Sequence, residues 1–262
     1  MNAKSYAIVT ERLSKCFGKK QAVKNLSIKI PYGKTYGLLG PNGAGKTTTI
    51  RLLNGIIKPT SGNAMVAGYD IKTEKVKVKM NCGFLAESPG LYEKLTPIEF
   101  LEFVGSLYNL SEQTLSLRIN ELLELFDLKK RQFDLLEDYS RGMKQKVSIC
   151  ATLIHNPKII FLDEPTSNLD PATASMVKTL IINLMNNADK TFFISTHFLN
   201  IAEDLCDIIG IIDQGVLKIQ GTTEEVLESA KTDNLEDAYI KVLGIKNDKD
   251  LVGWSKKLEN LK

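Results

Sequence analysis

The sequence predicts an α/β fold with a mostly parallel core sheet, an antiparallel β part and an inserted all-helical subdomain. Three observations carry this prediction. Short apolar runs typical of strands alternate with helical patterns in the first and last thirds of the chain. Three glycines within Gly40–Gly45 separate a strand-like run from a helical run. From residue 89 to about residue 158 the patterns are helical only.

The N-terminal part reads as strands followed by one helix. Its alternating or apolar runs predict short strands, and the residues after the glycines predict a helix over Lys46–Asn54. The predicted strands are Ala7–Thr10, Leu26–Ile30, Thr35–Leu39, Ala64–Ala67 and Cys82–Ala86. We assign residues 1–88 to the first part of the core domain.

Helix signals dominate the middle of the chain. Thr96-Pro97-Ile98-Glu99 is a capping box with proline at the first helical position, so a helix is expected to begin there. The stretch Ser111–Leu128 places Leu115, Ile119 and Leu123 on one helical face. We therefore predict a helical subdomain over residues 89–158.

Strand signals return after residue 158. Strands are predicted at Ile159–Leu162 and Thr191–Ser195, with a helix over Pro171–Met185 between them. Ile208–Ile212 and Val216–Gln220 predict a hairpin around Gly215. Residues 159–221 would complete the core.

A second capping box at residues 222–225 opens a predicted helical tail over residues 222–262, in which Trp254 is a candidate anchor.

Composition excludes several classes of protein. The 262 residues carry a net charge of +3, which is too small to indicate a nucleic-acid partner. The longest uncharged run, Thr191–Ala202, is shorter than the roughly 20 apolar residues of a membrane span. Met1–Lys15 lacks the apolar region of a signal peptide. The four cysteines are scattered without a C-x-x-C pair, which argues against a zinc site or a disulfide framework.

A phosphate-binding loop is the strongest motif. The segment from Gly40 to Thr47 matches G-x-x-x-x-G-K-[ST] in full and lies between a predicted strand and a predicted helix. Backbone N–H groups and the helix N-terminus attract phosphate, Lys46 reaches the β- and γ-phosphates, and Thr47 ligates Mg²⁺. The predicted ATP-binding residues of this loop are Gly40, Pro41, Asn42, Gly43, Ala44, Gly45, Lys46, Thr47 and Thr48.

Two carboxylates complement this loop. Asp163 and Glu164 directly follow the apolar run Ile159–Leu162, at the carboxyl end of a predicted buried strand, where such sheets bind ligands. Asp163 is expected to hold Mg²⁺ together with Thr47. Glu164 is expected to orient or deprotonate the attacking water.

With these motifs the chain resembles the ATP-binding subunit of ABC transporters over at least Ala7–Gly221. The resemblance implies a P-loop NTPase of ABC type with ATP and Mg²⁺ as ligands. It implies adenine stacking by Phe17, a D-loop at Asp170 and a switch histidine at His197, which would act with Glu164 and Lys46 in catalysis. It also implies a signature segment that contacts ATP on a partner subunit, formed by Ser140, Arg141, Gly142 and Met143.

Three residues depart from the common family pattern. Glu87 stands where glutamine is usual and would be a third Mg²⁺ ligand, while Arg141 and Met143 replace a glycine and a glutamine. The segments around Glu87 and Ser140, with 235–239 near the C-terminus, resemble the branch that exports drugs, bacteriocins and lipids. His155, before Asn156-Pro157, is interpreted as structural, as a partner of a helix dipole.

The resemblance implies a homodimer or paralogous dimer, a separate transmembrane permease and no nucleic acid. It implies a peripheral location on the cytoplasmic face of the membrane. One alternative is a soluble ABC-type ATPase that acts as an assembly-factor scaffold and moves no substrate. A small-molecule P-loop kinase is the other, but it would lack the signature and switch segments.

Overall fold

The computed structural model describes residues 5–88, 90–167, 169–187 and 190–245. A six-stranded sheet forms the centre, in the order β11-β10-β4-β9-β8-β7, and only β11 runs antiparallel to its neighbour. The strands are β4 (Thr35–Leu39), β7 (Cys82–Leu85), β8 (Ile159–Asp163), β9 (Thr191–Thr196), β10 (Ile208–Asp213) and β11 (Val216–Gly221). The predicted, mostly parallel sheet is therefore present.

A second, antiparallel sheet covers one face of the first. Its order is β2-β1-β5-β6, and β3 also pairs with β1. The strands are β1 (Tyr6–Phe17), β2 (Lys20–Leu26), β3 (Lys29–Pro31), β5 (Ser61–Val66) and β6 (Tyr69–Asp70). Strand β1 is longer than predicted because it bends: Arg12 has a φ of 45°, and its pairings shift register there, which breaks the alternation that the sequence prediction requires.

The middle of the chain is helical, as expected. It comprises α3 (Pro97–Leu107), α4 (Glu112–Leu125), two short 3₁₀ turns and α5 (Arg141–Leu153). The predicted capping box opens α3, since Thr96 and Glu99 each accept from the other's backbone N–H. The remaining helices are α1 (Lys46–Leu53), α2 (Lys75–Asn81), α6 (Pro171–Asn187), α7 (Leu199–Leu205), α8 (Thr223–Ala230) and α9 (Leu235–Leu243).

Alternating side chains of the central strands separate two cores. Ile160 and Leu162 pack with the middle helices, whereas Ile159 and Phe161 pack with the antiparallel sheet. This arrangement places the carboxyl ends of β4 and β8 between the two layers. None of the helices in the described residues combines the length and the apolar character that a membrane span requires.

The two tail helices pack on the last hairpin. Val226 of α8 and Ala238 of α9 are fully buried against Ile209 and Ile211 of β10. The tail thus begins helical, as the second capping box predicts. Trp254 lies outside the described residues.

Candidate nucleotide site

The phosphate-binding loop joins β4 to α1. Glycine is required at two of its positions, because a Cβ on Gly45 would lie 2.3 Å from the Ala22 carbonyl and one on Gly40 would lie 2.2 Å from the Ile212 carbonyl. The first turn of α1 holds no acidic residue, and no side chain caps it. Its N–H groups are therefore available to an anion. The Gly215 N–H donates to the Ala44 carbonyl at 2.8 Å, which ties the β10–β11 turn to this loop.

Lys46 lies buried within the curl of the loop. Its Nζ donates to the carbonyls of Gly40 at 2.7 Å and Pro41 at 3.2 Å. The same ammonium lies 3.1 Å from Glu164 Oε1. The loop therefore holds the one cation of the predicted motif beside the predicted catalytic carboxylate.

Asp163 ends β8 and is 1% exposed. Thr47 Oγ1 donates to its Oδ1 at 3.1 Å, so the two predicted Mg²⁺ ligands lie together. Ser195 of β9 donates to the same oxygen, and sequence reasoning did not select this residue. Strand register places Ser195 directly opposite Asp163, which no local motif encodes.

Glu164 has a φ of 49°, a conformation that is uncommon for a residue with a side chain. Its N–H donates to the Ser195 carbonyl at 3.0 Å, and its Oε2 lies 2.9 Å from Nδ1 of His197. Its Oε1 is buried and has no hydrogen-bond partner among the described residues, although Lys46 is near. An oriented carboxylate can take a hydrogen bond or a proton from water.

A cavity of about 330 Å³ lies over the loop. Phe17, half exposed, forms one wall, and Glu87 and Glu164 form another. The other loop residues that line it are Asn42, Gly43, Gly45, Lys46, Thr47 and Thr48, joined by Lys20 and Ala22 of β2. Sequence reasoning missed Lys20, because an exposed lysine in an edge strand carries no motif.

The signature segment does not line this cavity. Ser140 is the N-cap of α5, and its hydroxyl accepts from the Met143 N–H at 3.3 Å. Arg141 is exposed, and a Cβ on Gly142 would lie 2.6 Å from Thr173. Asp170 does not line the cavity either; it caps α6 by accepting from the Thr173 N–H at 3.0 Å. Its hydrogen bonds to Thr173 hold its pKa below the ordinary value.

The structure changes the interpretation of His155 as a partner of a helix dipole. It stacks on Tyr108 with ring centroids 3.6 Å apart, and its Nε2 contacts the Cys82 carbonyl at 3.0 Å. Burial lowers its pKa to about 4. The ring is therefore neutral at pH 7 and is not a charged partner of a helix dipole, although its role is structural.

The residues around Asp163 fit a magnesium ion. The hydroxyl of Thr47 and the carboxylate of Asp163 are hard oxygen donors, which Mg²⁺ prefers, and Glu87 lines the same cavity as Thr47. Thr47 donates its proton to Asp163, so the lone pairs of its oxygen remain available to a cation. The arrangement brings the phosphate-binding loop, the oxygen donors of Thr47 and Asp163 and the carboxylate of Glu164 together.

The model of the ABC transporter family matches residues 23–167. The linearmycin resistance ATP-binding protein LnrL of Bacillus subtilis is 39% identical, over 82% of this chain and 69% of that protein. The bacitracin transport ATP-binding protein BcrA of Bacillus licheniformis is also 39% identical, over 81% of this chain and 69% of that protein.

Two solved structures share the fold. An ATP-binding subunit of an ABC transporter superimposes with a TM-score of 0.82 at 28% identity, covering 90% of this chain and 99% of that chain. The dimeric post-hydrolysis state of the ATP-binding cassette MJ0796, bound to ADP and Pi, gives 0.73 at 25% identity, covering 82% and 98%.

Proposed function

The chain belongs to the ABC transporter family as an ATP-hydrolysing subunit, and on this premise we propose that it powers export of a drug or antibiotic through a separate membrane protein. Both relatives described above are named for antibiotic resistance or transport. The same branch is indicated by the segments around Glu87 and Ser140.

One observation carries the proposed mechanism. The cavity holds the phosphate loop, Lys46 and Glu164, whereas Ser140 and Gly142 lie outside it on the same chain. A second ATP-binding subunit, placed head to tail, would bring its own Ser140 and the N-terminus of its α5 to the γ-phosphate. Asp170, at the start of α6, would lie between the two sites. We therefore propose that two subunits enclose two ATP molecules.

Within each site the residues have separate roles. Phe17 stacks on adenine, and Lys46 and the loop N–H groups bind the phosphates. Glu164 accepts the proton of the attacking water, and His197 holds Glu164 through the contact at Oε2. Bound Mg²⁺, held by Thr47, Asp163 and Glu87, would neutralise phosphate charge. Loss of the γ-phosphate removes the anion that joins the two subunits.

The helical region offers a place for the membrane protein. An apolar groove of about 380 Å³ lies beside the segment that follows Glu87, and Leu91, Phe100 and Val104 line it. Tyr92, whose ring centroid lies 6.4 Å from that of Phe100, is 59% exposed. This segment directly follows Glu87, which lines the nucleotide cavity. Opening of the dimer would therefore move a membrane protein that is bound at the groove.

Co-purification and resistance together test this function. Cells that express the chain with the membrane protein that co-purifies should tolerate more bacitracin than cells that express the Glu164→Gln variant. The purified complex should release free phosphate from ATP. Phosphate release with no membrane protein bound would instead favour a non-transport ATPase. Phosphoryl transfer to an added acceptor would contradict both.

A further inference from the structure

Ser195 connects both acidic residues of the site. Its hydroxyl lies 2.5 Å from Asp163 Oδ1, and its carbonyl accepts the Glu164 N–H at 3.0 Å. The residue is fully buried on β9, directly opposite Asp163 in the parallel pairing.

The hydroxyl has one hydrogen-bond acceptor among the described residues, and that acceptor is Asp163. A buried carboxylate needs hydrogen bonds to remain in one orientation, and bonds to an ionised acceptor are the stronger ones. Thr47 also donates to Oδ1, so two hydroxyls fix the same oxygen. The second oxygen, Oδ2, is left for a cation or for the water of its coordination sphere.

We propose that Ser195 is a positioning residue for Mg²⁺-dependent hydrolysis, which orients Asp163 toward the cation through its hydroxyl. It touches neither nucleotide nor metal and acts through Asp163. Groups that orient metal ligands in this way change metal affinity or activity by 10- to 100-fold when they are removed. The inference rests on the proposed roles of Asp163 and Thr47.

Substitutions at Ser195 can separate the contact of its hydroxyl from the contact of its carbonyl. Ser195→Ala removes the hydroxyl but keeps the carbonyl that holds Glu164, so it separates the two contacts. Ser195→Thr keeps the hydroxyl and should restore function. Ser14→Ala is the matched control, because Ser14 is also a buried strand serine, 3% exposed, whose hydroxyl bonds within the antiparallel sheet.

The first measurement is binding rather than activity. The affinity for the non-hydrolysable analogue AMPPNP is measured with saturating Mg²⁺ and again with EDTA, and the ratio reports the contribution of the metal. Ser195→Ala should lower this ratio about tenfold and leave the affinity in EDTA unchanged. Ser195→Thr and Ser14→Ala should retain the ratio of the unmodified chain.

The second measurement is the Mg²⁺ concentration that gives half-maximal ATPase activity. It should rise about tenfold in Ser195→Ala, and the KM for ATP at saturating Mg²⁺ should rise as well, in line with the weaker binding of the Mg²⁺–nucleotide complex. If that variant does not fold, Ser195→Cys, a weak donor of similar size, carries the same expectation. An unchanged Mg²⁺ dependence in the folded variant overturns the inference. Absence of ATPase activity in the unmodified chain would instead contradict the proposed function.

Discussion

Lys46 and Glu164 form a buried ion pair, with 3.1 Å between Nζ and Oε1 and both side chains 6% exposed. The ammonium of Lys46, which should bind phosphate, therefore lies against the carboxylate of Glu164, which should activate water. A γ-phosphate that reaches Lys46 therefore competes with Glu164 for the same ammonium. Nucleotide binding and release of the base are thereby linked through a single side chain.

The Glu164→Gln variant should bind ATP and fail to hydrolyse it. The amide cannot accept the proton of water, so we expect turnover to fall by about 100-fold or more. Loss of the negative charge weakens the competitor for Lys46, so ATP affinity should stay the same or rise. Phosphate release and equilibrium ATP binding measure the two effects. Turnover equal to that of the unmodified chain would refute the role given to Glu164.

The Ser140→Asp variant should lose the ATP-dependent dimer. Aspartate caps a helix about as well as serine, so α5 should remain intact, while its charge would repel the γ-phosphate on the partner. Size-exclusion chromatography in the Glu164→Gln background with ATP measures the dimer. Ser111→Asp is the matched control, because Ser111 is likewise an exposed N-cap, on α4. Equal dimerisation of both variants would contradict the head-to-tail arrangement.

His155 should make folding stability depend on pH. The unfolded chain takes up a proton as the pH falls through 6.5, whereas the folded chain does so only near 4, so stability decreases as the pH falls between these values. From pH 7 to pH 5 the unmodified chain should lose about 1–2 kcal/mol more than His155→Phe, which keeps the stacking on Tyr108 and does not titrate. Urea unfolding at both pH values measures the difference. Identical pH dependence in the two chains would show that His155 titrates normally.

Local motifs account for what the sequence could predict. The phosphate loop, both capping boxes and the buried strand before Asp163 depend on neighbouring residues, so their geometry follows from their order in the chain. Helix α2 was not predicted because lysines alternate with Val76 and Val78 in a strand-like pattern, and only Val78 is buried. Helix α7 was missed for a related reason, since it follows β9 after only two residues and has no side-chain cap.

Contacts between distant segments account for the rest. Ser195 meets Asp163 through the register of two strands, and Lys20 reaches the cavity through the position of β2 over the loop. The first relationship has no local signature, because parallel pairing leaves no turn between the strands. The second joins β2 to a loop that is distant in the sequence, so no short motif contains both. The neutral state of His155 likewise depends on its burial against Tyr108. The residues next to His155 in the sequence do not indicate this contact.

The hydrogen bond between Gly215 and Ala44 has a consequence for biosynthesis. The phosphate loop leaves the ribosome early, but β9 and β10, which flank β4, and the turn that contacts Ala44 emerge much later. A nascent chain that has not yet reached this turn lacks the partners that hold the loop in shape. Competence to bind nucleotide is therefore acquired late in translation, once the last strands of the central sheet have joined it.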